Sequence, residues 1–187
     1  MPRMITTLLA SVSLVMLGVL FGSAQSTDSP PSPFSSTTID VGLVCVNPEK
    51  SLAFYKDALA FQQLPGFDAP ADLLTDVGLT DKLACHVDVV ALGSGPTATK
   101  LKLLSFPQAP GARVDQRFVN SSYGFRYLTA FVNDLNASLA HAEKSGVKPI
   151  GKGAAPLPKG FPEGLGLAVF RDPDGNFVEL VGPYKAN

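Results

Sequence analysis

Basic runs are missing from this sequence, and charge of either sign is sparse. Lysine and arginine number 15 against 16 acidic residues in 187, the net charge is -1, and charged residues are only 17% of the chain. Without a basic block there is no electrostatic footprint for a nucleic acid, so that class of partner is excluded. Tryptophan is absent, and phenylalanine, at 12 residues, is the main aromatic. Histidine occurs twice, as His86 and His141, and cysteine twice, as Cys45 and Cys85. No glycine-rich stretch has the spacing of a phosphate-binding loop. Glycine and proline are plentiful, at 17 and 16, and imply many turns rather than a helical bundle. The length allows one domain with a real core, or two very small ones.

The hydrophobic fraction of 45% is inflated by the N-terminus. Arg3 supplies a positive start, Ile5 to Phe21 is a nearly continuous apolar run, and Gly22, Ser23 and Ala24 are small. That pattern predicts a signal peptide over residues 1–24, cleaved after Ala24. The alternative is an uncleaved anchor helix, because the run is at the lower limit for spanning a bilayer. No cysteine follows it, so a lipoprotein anchor is unsupported. Residues 25–38 are rich in Ser, Pro and Thr and read as a disordered linker. The expectation is a periplasmic or secreted protein with no membrane association after cleavage, its folded domain covering 39–185. Outside the cytoplasm Cys45 and Cys85 could be oxidised to a disulfide, or they are two buried thiols acting as small hydrophobes.

Val41 to Val46 is a short, apolar, β-branched run and predicts a buried strand. Asn47-Pro48 then offers a helix cap followed by proline at the first helical position, and Leu52, Tyr55 and Leu59 recur at helical spacing. Lys82 to Ala91 and Thr99 to Phe106 read as strands about a Gly93-Ser-Gly-Pro96 turn. The second half repeats the plan: a strand over Tyr127 to Val132, a cap at Asn133-Asp134, a helix ending at Gly146, a strand over Leu165 to Phe170, the turn Asp172-Pro-Asp-Gly175, and a strand over Phe177 to Val181. Val46-Asn47 matches Val132-Asn133, and Ser51-Leu-Ala53 matches Ser138-Leu-Ala140. Helices and strands mixed in this way predict an α+β fold. Residues 108–124 read as the connector between the halves, and 151–164 as a mobile loop.

Three segments carry a resemblance. Asp40 to Asn47 followed by Lys50-Ser-Leu-Ala-Phe-Tyr55, then Phe131-Val-Asn-Asp-Leu135, and finally Arg171 to Leu180, resemble the module openings and the closing hairpin of the vicinal-oxygen-chelate superfamily, which includes glyoxalases, bleomycin-resistance proteins and extradiol dioxygenases. The resemblance implies two tandem βαβββ modules, about 39–107 and 125–185, forming a curved mixed sheet around a cavity with the helices outside. It also implies a small organic substrate or ligand, and in some members a cavity built across a homodimer.

Metal-dependent members of the family place four ligands in that cavity. By resemblance the corresponding residues here are Asp40, Lys102, Tyr127 and Glu179. Only Glu179 matches the usual donor outright, with Asp40 as a second oxygen ligand for a divalent metal. A protonated lysine has no lone pair to donate. Lys102 is expected instead to pair with Asp40 or Glu179, or to hold an anionic ligand. Two readings follow. One is a metal-dependent lyase, isomerase or dioxygenase using Glu179, Tyr127 and His86; the other is a non-catalytic binding protein anchored on Lys102. Period-two alternation puts His86 and Asp88 on one strand face. That face either lines the cavity, with Asp88 orienting the imidazole as base or substitute ligand, or faces solvent with no chemistry. His141 reads as a solvated helix residue.

Overall fold

A computed structural model describes residues 33–186, and from Ser36 onward they form one unit. The expected signal peptide and most of the expected linker lie outside the described residues. The last linker residue, Thr38, is docked, its hydroxyl donating to the Thr97 carbonyl at 2.7 Å.

The first half runs β1 (Val41–Val44), α1 (Pro48–Leu52) continuing into a π-helical turn (Ala53–Ala58), β2 (Gln62–Ala69), α2 (Ala71–Asp76), β3 (Cys85–Ala91) and β4 (Lys100–Ser105). The second half runs β5 (Tyr127–Phe131), α3 (Leu135–Lys144), β6 (Ala155–Pro156), β7 (Leu165–Arg171) and β8 (Phe177–Pro183). Each half makes a four-stranded mixed sheet, in the orders β1-β4-β3-β2 and β5-β8-β7-β6. The first strand pairs parallel with the last and the remaining pairs are antiparallel. This is the expected pair of βαβββ modules in an α+β fold. Among the described residues no ladder joins the two sheets into one.

The caps form as the spacing predicts. Asn47 accepts from the Lys50 amide, and Asp134 accepts from the Ala137 amide, both at 2.9 Å. The π-helical turn follows from packing. Its wider turn leaves the consecutive residues Phe54 and Tyr55 both buried, and Tyr55 meets Phe54 and Phe61 edge to face at 5.0 and 5.6 Å. One core then runs through both modules: Tyr55, Val90, Leu101 and Leu103 of the first pack with Leu135, Phe170, Val178 and Leu180 of the second. Two elements escape the sequence reading. Strand β2 holds Pro65-Gly66 at a bulge between Leu64 and Phe67 and is mostly exposed, and α2 spans only six residues. The 151–164 segment also contains strand β6, which pairs with Gly166 and Leu167.

Candidate functional site

Ladder register decides which side chains share a face, because residues paired across strands point the same way. Gly42 pairs with Lys102, and Lys102 pairs with Val89. Asp40, Lys102 and Leu104 therefore lie on one face of the first sheet, with Val87 and Val89. The other face carries Leu101 and Leu103 and is covered by α1. In the second sheet Glu179 pairs with Thr129 and Val169, so Tyr127, Thr129, Phe131 and Glu179 share one face while Leu180 and Ala130 enter the core. This second face is open, with Phe131 79% and Tyr127 54% exposed.

The four positions fall into two pairs. Lys102 Nζ lies 3.1 Å from Asp40 Oδ2, and the donated hydrogen bond holds the Asp40 carboxyl below its usual range against an opposing desolvation. Glu179 accepts from the Thr129 hydroxyl at 2.8 Å. Of the two partners expected for Lys102, Asp40 is the one found. Thr129 was missing from the sequence reading, although alternation from Tyr127 puts it on the same face.

This donor set does not fit the family's divalent metal. One position is a cation, one is a phenol, and the carboxylate at a third is already neutralised by that cation. Among the described residues no group of three His, Cys, Asp or Glu side chains is placed to hold a metal ion.

His86 requires a correction. It pairs with Ser105 and Asp88 pairs with Leu103, so both lie on the face opposite Lys102. Neither joins the Asp40–Lys102 pair. Alternation along β3 is as expected, and the apolar set Cys85, Val87 and Val89 does pack on a helix. That helix is α2, through Leu74, on the Lys102 side of the sheet. The main partner of the imidazole is Asp68 of β2, 2.7 Å from Nδ1, with Asp88 3.6 Å from Nε2. The two carboxylates, Asp68 first, raise the His86 pKa above its ordinary value.

The chain also has a cavity of about 650 Å³ away from the Asp40–Lys102 pair, at the junction of the modules. Its walls come from the ends of β1 and β4, the connector and the β7–β8 turn. The junction is fixed by polar contacts that the sequence does not reveal. The buried Tyr55 hydroxyl donates to Asp172 at 2.9 Å, Asp174 accepts from the Val46 amide and the Ser51 hydroxyl, and Arg171 donates to the carbonyls of Gln116 and Arg117. Cys45 and Cys85 are free, buried thiols, and burial, reinforced by Asp174, pushes Cys45 up to about 11.

The fold agrees with that of solved structures at identities too low to carry function. A glyoxalase family protein from Bacillus cereus superposes with a TM-score of 0.65 at 13% identity, covering 84% of this chain and 99% of that one. A glyoxalase I mutant from Zea mays gives 0.57 at 14%, covering 78% of this chain and 46% of that one. A glyoxylase/bleomycin resistance protein/dioxygenase domain from Frankia gives 0.53 at 14%, covering 83% and 96%. No curated protein matches significantly. The family model for the Glyoxalase/Bleomycin resistance protein/Dioxygenase superfamily matches residues 38–180, and the chain belongs to that superfamily.

Proposed function

We propose that this protein is an exported, metal-independent member of the superfamily that binds a small organic anion. The observation that carries the reading is the Lys102–Asp40 ion pair, 3.1 Å apart, standing at two of the four positions where relatives by resemblance hold a metal. A lysine ammonium has three protons to donate, and Asp40 engages one. The others remain for a ligand carboxylate or phosphate, since Lys102 is 40% exposed. Apolar neighbours on the two faces, Leu104 on one and Phe131 and Tyr127 on the other, suit an organic body rather than a bare ion. Glu179, steadied by Thr129, orients that body through its second oxygen. A lyase or isomerase reading would make the same oxygen a general base, acting without metal assistance.

One experiment tests the proposal. The protein is recovered from outside the cytoplasm of expressing cells, beside a Glu179→Ala variant, and its mass and metal content are measured. The expected result is a folded parent beginning near Gln25 with a metal content close to that of the variant. About one equivalent of a transition metal in the parent, lost in the variant, would overturn metal independence. A chain recovered only inside the cell, with Met1 intact, would overturn export.

A further inference from the structure

The junction cavity is assigned no role by the Lys102–Asp40 reading, and it has the size and lining of a ligand site. Its volume of about 650 Å³ falls within the range of small-molecule pockets. Ser105 lies three residues along β4 from Lys102, roughly 10 Å at strand rise, and neither Lys102 nor Asp40 is among the residues that line the cavity.

Two groups lining it have unused hydrogen-bonding capacity. Ser105 is only 7% exposed, yet among the described residues its hydroxyl has no hydrogen-bond partner. The Ser105 hydroxyl is not sealed in the core, since no buried side-chain oxygen or nitrogen among the described residues lacks a partner; it opens onto the cavity it lines, where it can donate to or accept from a ligand atom. Arg113, on the exposed connector, has no ion pair or hydrogen bond among the described residues. A guanidinium of this kind is suited to receive a carboxylate with two parallel hydrogen bonds. Between them the lining is apolar, from Val44, Val46, Phe106 and Val114.

The remaining charged group, Asp174, fixes the orientation. Both of its oxygens are engaged, by the Val46 amide at 3.1 Å and the Ser51 hydroxyl at 3.3 Å. It offers nothing to an anion and repels one, so a negative head is directed to Arg113. The connector is held in place around this opening. Arg171 grips the carbonyls of Gln116 and Arg117, and Gln116 donates to Asn176 at 2.9 Å.

We propose that the junction cavity binds an amphipathic carboxylate, with its acid group on Arg113, its apolar or aromatic body against Val44, Phe106 and Val114, and a hydroxyl or carbonyl at its inner end on Ser105. This site does not depend on whether the Lys102 face takes a metal or an anion.

The test uses 3-(4-hydroxyphenyl)propionate as probe, with its neutral amide and with 3-phenylpropionate, which lacks the inner hydroxyl. Binding is titrated by calorimetry against the full protein and against Arg113→Gln, Ser105→Ala and Lys102→Ala. Arg113 is exposed and Ser105→Ala removes one atom, so both variants are expected to fold, which their thermal midpoints verify. The expected result is that Arg113→Gln weakens both acids by on the order of tenfold and leaves the amide unchanged. Ser105→Ala weakens only the hydroxylated probe, and both effects persist when the same substitutions are made in a Lys102→Ala background. No binding of either acid at millimolar concentration would overturn the proposal. So would binding that is lost in Lys102→Ala and kept in Arg113→Gln, because the ligand would then sit at the Lys102–Asp40 pair.

Discussion

His86 shows how far a single residue's neighbours can differ from its sequence neighbours. Its imidazole is held between Asp68 at 2.7 Å and Asp88 at 3.6 Å, across two adjacent strands. Both carboxylates favour the protonated ring, so the folded-state pKa lies above the ordinary value of 6.5. The sign of the linkage follows. The stabilisation is present in full below 6.5 and is lost as the pH rises through the raised value. A proton NMR titration should place the His86 midpoint above 6.5, and Asp68→Asn should bring it down. A His86 midpoint that Asp68→Asn leaves unchanged would refute the pairing. Alternation along β3 correctly groups His86 with Asp88. It does not say which side of the sheet that group faces, since helices cover both sides: α1 packs on Leu101 and Leu103, and α2 packs on Val87 and Val89.

Strand β8 shows an element fixed by close backbone approach. A Cβ at Gly182 would stand 2.3 Å from the Val132 carbonyl oxygen, and that oxygen belongs to backbone following β5. Val132 is bound there by its own amide, which donates to Val181 at 2.8 Å. Neither strand can move aside without losing ladder bonds. Gly182→Ala should therefore cost about 2 kcal/mol or more, read from the denaturation midpoint. Gly42→Ala in β1 meets only the end of a Leu104 side chain, at 3.4 Å, and should be far milder. The elements themselves were mostly legible: both caps, the helices α1 and α3 and six of the eight strands follow from periodicity and turn chemistry. Strand β2 was not, because Pro65, Gly66 and its exposed polar residues break the apolar pattern on which strand recognition rests.

The two modules behave as one molecule because they share a core and a buried polar tie. Tyr55 is fully buried, and its hydroxyl, donated to the buried Asp172 carboxylate, crosses from the first module to the second. Both the burial and the nearby carboxylate raise the tyrosine pKa, so the ring remains neutral and a donor. Unfolding should be a single transition, with calorimetric and van't Hoff enthalpies equal. Tyr55→Phe should lower its midpoint by the worth of a hydrogen bond to a charged group, about 1.5–3 kcal/mol, without splitting it. Two resolved transitions in the parent would mean that the modules fold independently.

The sequence by itself determined the modules, because alternation, capping and turn chemistry are local and act over a few residues. By resemblance alone it also pointed to Asp40, Lys102, Tyr127 and Glu179 as the counterparts of the family's metal positions. Only the tertiary structure decided that Lys102 pairs with Asp40, that His86 turns to Asp68 on the opposite face, and that the cavity lies at the module junction beside Ser105 and Arg113. Each of these depends on register and packing between segments far apart in the chain, where a shift of one residue reverses the face of every side chain.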